Sequence, residues 1–269
     1  MDNRAIGVFD SGLGGLTAVR QIRSILPSEN IIYFGDTSRV PYGGRSKEIL
    51  LKYARQDVHF LRSFDIKAIV VACGTVSTNA LPELRAENDL PILGVVEPAC
   101  RRAVTVTKKR RVGLIATAAS VRTGAYAETI RAIDPTVEVI SRACPLFVPL
   151  VENGRDRPGD IVVETVAREY LEPLKEAGID VLILGCTHYP LLTDVIAQIM
   201  GPEVELIDTG AEAAWELKRT LKARDQMAAE RTGEAIYCAS DRPEDFGSLA
   251  SRFLREDIPS VREVDIERY

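Results

Sequence analysis

Two cysteines close apolar runs that resemble one another. Cys73 ends "AIVVAC" and is followed by Gly74 and Thr75; Cys186 ends "VLILGC" and is followed by Thr187 and His188. The thiols lie 113 positions apart in sequence. A thiol pKa can be moved by neighbouring charges and dipoles, so a cysteine can accept a proton in one state and donate it in the other. An opposed pair suits inversion of a stereocentre, which needs a base on one face and an acid on the other. The two residues exchange roles at each turnover. A cysteine at a strand end, taken alone, is more often a small buried apolar residue. It is the matched placement of two that points to chemistry. A helix starting after each would offer N–H groups to a carboxylate and would also stabilise a nearby thiolate.

Other groups accompany the thiols. Asp10 ends "AIGVFD" just before "SGLGG", a position that suits a helix cap as well as an acid–base group. Glu152 lies in "PLVENG", where the residue pattern alone favours a solvated loop. His188 is one of only two histidines; Cys186-Thr187-His188 does not supply a metal-ligand spacing, so no metal is expected. His59, the other, falls inside a helix and reads as structural. "GLGG" lacks the lysine of a phosphate-binding loop and the fuller dinucleotide fingerprint, so nucleotide binding is not expected. No lysine motif calls for pyridoxal phosphate, and no cofactor is expected. Cys100, Cys144 and Cys238 read as buried fillers and Trp215 as a packing residue.

The elements that must position these groups alternate short apolar strands with amphipathic helices. "AIGVFD", "NIIYFGD" and "KAIVVAC" read as strands. "SKEILLKYARQDVHFLRSF" reads as a helix, with Ile49, Leu50, Tyr53, Ala54 and Leu61 at helical spacing. Such alternation argues for a parallel sheet covered by helices. The second half repeats the first. "VGLIAT" follows "IGVFDS" by 106 positions, Pro135 follows Pro27 by 108, and "IDVLILGC" echoes "IKAIVVAC" at 113; "VPLVENG" also echoes "VPYGG", Pro149 following Pro41 by 108. The expectation is an α/β fold of two similar parallel-sheet lobes in pseudo-two-fold arrangement, with the active site in the cleft between them. The end of the chain, "EAIYCAS", "GSLASRFL" and "VREVDI", reads as strand, helix, strand completing the first sheet. The lobes are therefore expected to comprise residues 1–97 plus 210–269 on the Cys73 side and 98–209 on the Cys186 side. Ligands of open α/β sheets bind beyond the carboxyl ends of the strands, where both thiols are expected.

The bulk properties exclude other classes. The chain has 269 residues, 46% hydrophobic and 27% charged, with a net charge of −5. No basic stripe offsets that charge. "KKRR" at 108–111 leads into a strand and reads as a solvated turn, so no nucleic-acid partner is expected. Five cysteines at long spacings without a CxxC pair argue against a zinc ribbon or dithiol motif. No signal peptide and no membrane-length apolar run is evident, so a cytoplasmic protein with reduced thiols and no membrane association is expected.

The motifs together carry a resemblance. "IGVFDSGLGGLTAV", "YFGDTSRVPYGGRS", "VEPA", "CPLFVPLVENG" and "GCTHYPLL" occur in that order from residue 6 to about 210. In this the chain resembles the glutamate racemases of the cofactor-independent aspartate/glutamate racemase superfamily. The resemblance implies two α/β domains, usually in a homodimer, interconverting L- and D-glutamate and so supplying D-glutamate for peptidoglycan. It implies that Cys73 and Cys186 are the acid–base pair, the first acting on D-glutamate and the second on L-glutamate. Asp10 would stand beside Cys73, and Glu152 and His188 beside Cys186. Ser11, Pro41, Tyr42, Gly43, Gly74, Thr75 and Thr187 would meet the substrate together with Asp10 and His188. Thr117 and Ser120 match a pair, usually two threonines, that hold carboxylate oxygens. One departure stands out: the family usually has "ACNT" where this chain has "ACGT", so Gly74 lacks a side-chain amide. A racemase for aspartate or another amino acid is the nearest alternative in chemistry, although aspartate racemases more often carry Glu at the place of His188. A non-catalytic ligand-binding homologue is the alternative of another class.

Overall fold

The computed structural model describes residues 1–229, 233–241, 243–258 and 260–269. The first half runs β1 (Ala5–Asp10), α1 (Leu16–Ile25), β2 (Ile31–Gly35), α2 (Lys47–Arg62), β3 (Ile66–Val71), α3 (Gly74–Asn79), α4 (Leu81–Ala86), β4 (Ile92–Gly94) and α5 (Val96–Val106). The second half continues with β5 (Arg111–Ala116), α6 (Ala118–Thr123), α7 (Ala125–Ile133), β6 (Glu138–Ala143), α8 (Phe147–Glu152), α9 (Ile161–Glu176), β7 (Val181–Gly185), α10 (Thr193–Met200), β8 (Glu205–Asp208) and α11 (Thr209–Ala223). The chain closes with β9 (Ala235–Ala239), α12 (Pro243–Leu254) and β10 (Val261–Glu263).

The strands form two parallel sheets. One has six strands in the order β10-β9-β2-β1-β3-β4, and the other has four in the order β6-β5-β7-β8. The run β2-β1-β3-β4 in the first matches β6-β5-β7-β8 in the second, strand for strand. The sequence repeat is thus a repeat of topology: β1 corresponds to β5 and β3 to β7. The central strands β1, β3 and β7 are buried along their whole length, as their unbroken apolar sequences require of strands covered on both faces. β6 lies at an edge, and its residues are partly or fully exposed.

The repeat has a limit. "VPYGG" lies in the loop before α2, whereas "VPLVENG" forms most of α8. Pro149 sits at the third position of that helix, where its missing N–H takes nothing from the helix. The 108-residue echo therefore equates a loop with a helix. β10 is likewise only Val261–Glu263, shorter than "VREVDI" suggests.

The lobes share a core. One apolar cluster runs from Ile6, Val8, Val19 and Tyr33 through Ala213 and Leu217 of α11 to Leu182, Leu184 and Tyr189. The opposite faces have cores of their own, around Phe9, Phe34, Leu61 and Val71 in one lobe and Val112, Leu114, Tyr126 and Ile183 in the other. Residue boundaries 97/98 and 209/210 fall within the first turns of α5 and α11. These two helices are joined by an Arg101–Glu216 ion pair at 2.8 Å. Trp215, also on α11, is about half-exposed with Lys218 Nζ 5.1 Å from its ring centre; it is not the packed core residue that its apolar bulk suggests.

Candidate active site

Both thiols stand at carboxyl ends of central strands and face the junction of the lobes. Cys73 follows β3 and is the N-cap of α3; its sulfur is 3.6 Å from Ser11 Oγ, and the Val76 N–H is directed at it. Cys186 follows β7. Both are buried, and Cys186 is close enough for its charge to act on Cys73. Burial and the neighbouring Asp10 carboxylate push the Cys73 thiol up to about 12, so it carries its proton at neutral pH.

Asp10, the last residue of β1, is buried. Its Oδ2 accepts from the Gly12 N–H at 3.2 Å, while Oδ1 has no partner among the described residues. Burial raises its pKa, opposed by the charge of His188 and by the N–H groups of the loop that follows. It is not a helix cap: Gly15, not Asp10, precedes α1.

On the other side, His188 leaves β7 just after Cys186 and is buried. Its Nε2 is 3.1 Å from Glu152 Oε1, and Phe253 of α12 packs edge-on at 5.3 Å. Burial alone would lower the imidazole pKa. Hydrogen bonding to Cys186 and Glu152, with the charges of Cys186 and Asp10, outweighs it and raises the value to about 10. The ring is therefore an imidazolium at neutral pH. Glu152 ends α8 rather than lying in a loop; it stays exposed to solvent while pairing with the histidine. Arg252 of α12 holds that end of the helix by donating to the Val151 carbonyl and to Asp156.

A cluster of hydroxyls bridges the lobes between these two sides. Thr75 Oγ1 and Thr117 Oγ1 share a hydrogen bond at 3.1 Å, and Thr117 donates to Ser120 Oγ at 3.1 Å. Thr117 is also the N-cap of α6, accepting from the Ser120 N–H. Gly43 approaches the Thr117 side chain from the first lobe. Thr187 lies over the "SGLGG" loop: its carbonyl accepts from Thr17 Oγ1 at 2.9 Å. The glycines of that loop serve close approach, because a Cβ on Gly14 would strike Thr187 Oγ1 and His188 Nδ1.

Pro41 and Tyr42 are placed differently. Pro41 is exposed, and the Tyr42 hydroxyl turns inward to Asp36 and Asp57. Arg39 completes this network, with Nε 2.6 Å from Asp36 and Nη2 3.0 Å from Asp57. The buried ion cluster that fixes the loop escaped the sequence reading, because Asp57 sits mid-helix and the pairing is visible only in three dimensions. "GDTSR", an acid three residues before a base, was its one sequence trace. Among the described residues, no group of three His, Cys, Asp or Glu side chains is placed to hold a metal, and no helix is long and apolar enough to cross a membrane.

Comparison with known proteins gives the family. The model of the Asp/Glu/Hydantoin racemase family matches residues 19–217. The glutamate racemase of Geobacter metallireducens is 46% identical over 265 residues, covering 98% of this chain and 97% of its own. The crystal structure of glutamate racemase isoform RacE1 from Bacillus anthracis superposes with a TM-score of 0.94 at 37% identity, over 98% of both chains. That of the Francisella tularensis glutamate racemase in complex with D-glutamate gives 0.92 at 38% identity over the whole of both chains. By sequence, by fold and by the elements that carry its two thiols, the chain belongs to the Asp/Glu/Hydantoin racemase family, and within it to the glutamate racemases.

Proposed function

We propose that the chain interconverts L- and D-glutamate by proton transfer between Cys73 and Cys186. The observation that carries this reading is the pair of thiols at matched strand ends of two similar lobes, each with its own charged attendants. In the L-to-D direction, Cys186 as thiolate takes the Cα proton of L-glutamate. Cys73, held as a thiol by burial and Asp10, gives its proton to the opposite face of the carbanion. The turnover leaves Cys186 protonated and Cys73 as thiolate, poised for the reverse direction. The His188 imidazolium, held by Glu152, stabilises the Cys186 thiolate. The orphan oxygen of Asp10 accepts from the substrate ammonium or relays the proton of Cys73. The backbone around Ser11, Pro41, Tyr42, Gly43 and Gly74, and the side chains of Thr75, Thr117, Ser120 and Thr187, hold the carboxylates.

The lobes, residues 1–97 plus 210–269 and 98–209, would move about the starts of α5 and α11 to admit substrate to thiols that are otherwise buried. The product serves peptidoglycan synthesis in the cytoplasm, and the working form is a homodimer, which sedimentation would check. Cys73→Ala and Cys186→Ala, followed by circular dichroism on L- and on D-glutamate, test the assignment. Each should lower turnover in both directions by at least about 100-fold, since each direction needs both thiols. Turnover retained by either variant would remove that thiol from the mechanism. Faster turnover of aspartate than of glutamate by the wild-type protein would replace the substrate.

A further inference from the structure

Tyr126 carries a hydroxyl that nothing described so far uses. The residue is the second of α7 and is wholly buried. Its ring belongs to the second lobe's core beside Cys100, Leu114 and Ile183. Its hydroxyl has no hydrogen-bond partner among the described residues. Buried polar atoms are nearly always paired, so one left over at a site calls for an explanation.

Its location supplies one. A Cβ built on Gly74 would stand 4.0 Å from the Tyr126 oxygen and 2.7 Å from the Gly185 carbonyl oxygen. The hydroxyl therefore lies where the two lobes meet backbone to backbone, one residue from each thiol. It is also within electrostatic range of both Cys73 and Cys186. Gly74 itself brings no side chain to this place.

The groups around the cleft sort by charge. Acceptors stand on two flanks, Asp10 beside Cys73 and Glu152 beside His188. Hydroxyl donors stand between them, at Thr75, Thr117 and Ser120. A substrate ammonium is drawn to the first group and a carboxylate to the second. Those three hydroxyls already bond one another, whereas the hydroxyl of Tyr126 is unengaged. Burial keeps the phenol protonated at any working pH, so it remains a donor.

Resting on the racemase reading above, we propose that Tyr126 is a substrate-positioning residue whose hydroxyl donates to the α-carboxylate of the bound amino acid, in the place left without a side chain at Gly74. The Cα between two opposed thiols brings its carboxylate to the region both thiols flank. A donor there would also strengthen its bond as negative charge moves onto that carboxylate when the Cα proton leaves.

Tyr126→Phe removes only this oxygen. Steady-state rates with L- and D-glutamate, and melting temperature with and without D-glutamate, are compared with the wild-type protein. A hydrogen bond to a charged group predicts a rise in KM of about tenfold or more in both directions, with kcat unchanged or lowered. The ligand-free protein should melt at the same temperature or higher, because an unpaired buried hydroxyl is lost, and D-glutamate should raise it less. A KM within twofold of wild type overturns the proposal. So does a ligand-free melting temperature several degrees lower with KM unchanged, which is the signature of a structural tyrosine. A wild-type protein inactive on glutamate would instead contradict the racemase reading, so the two failures are told apart.

Discussion

At the scale of single residues, the two thiols are chemically alike but electrostatically distinct. Cys73 shares its surroundings with a buried carboxylate, and Cys186 with a buried cation. In the proposed mechanism Cys73 is the resting acid, and the cation beside Cys186 completes the difference. His188 is the group whose charge maintains it, and its titration is measurable. With a folded-state pKa of about 10 against an ordinary 6.5, folding favours the charged imidazole. Its contribution to stability is complete below about pH 6.5 and disappears as pH rises through about 10. Denaturant unfolding from pH 6 to 10.5 should therefore show the wild-type protein losing more stability than His188→Gln over the alkaline part of the range. NMR of the imidazole should show no titration step between pH 6 and 8.5. A step near 6.5 would mean that His188 is neutral in the working enzyme.

At the scale of elements, much was readable in the sequence because it depends on local pattern. The strands carrying Asp10, Cys73 and Cys186 announce themselves as apolar runs ending in a polar residue, and their burial follows. The Glu152–His188 pair was not legible from residue pattern. Glu152 is exposed, and its pairing with His188, 36 positions on and just past β7, appears only in three dimensions. The inward turn of Tyr42 was equally hidden, since its partners Asp36 and Asp57 gather from two different elements. The "SGLGG" loop shows the same contrast. Its glycines read as turn formers, but Gly14 is required by a contact with the other lobe. Gly14→Ala should push Thr187 and His188 out of place. A cost of roughly 1–3 kcal/mol in stability, typical of overpacking, is expected, with kcat down at least about tenfold. Unfolding curves and kinetics on one sample would check both. Full activity would show that the loop and His188 yield independently.

At the scale of the whole molecule, the internal repeat explains why the site exists. Corresponding strand ends, from the four strands that the two sheets have in common, place Cys73 and Cys186 in corresponding positions of the two lobes. The same correspondence sets Thr117 against Ser11, and Thr187 and His188 against Gly74 and Thr75. Divergence within the repeat then sets a carboxylate beside Cys73 in one lobe, and a histidine with its glutamate beside Cys186 in the other. Sequence offsets exposed the repeat but not its closeness. The contact of Gly74 with Gly185, the Thr75–Thr117 bridge and the core shared through α11 depend on how the lobes pack, which no local pattern encodes.

The central claim is that two bases act, one on each face of Cα. The direct test is conversion of L-glutamate by the wild-type protein in D₂O, sampled early, with each enantiomer separated and its Cα deuterium measured. Two-thiol transfer predicts D-glutamate that carries deuterium from its first appearance, delivered by Cys73, while the remaining L-glutamate keeps its proton. Deuterium entering recovered L-glutamate as fast as D-glutamate forms, or D-glutamate that retains the original proton, would mean that a single base serves both faces and would contradict the account.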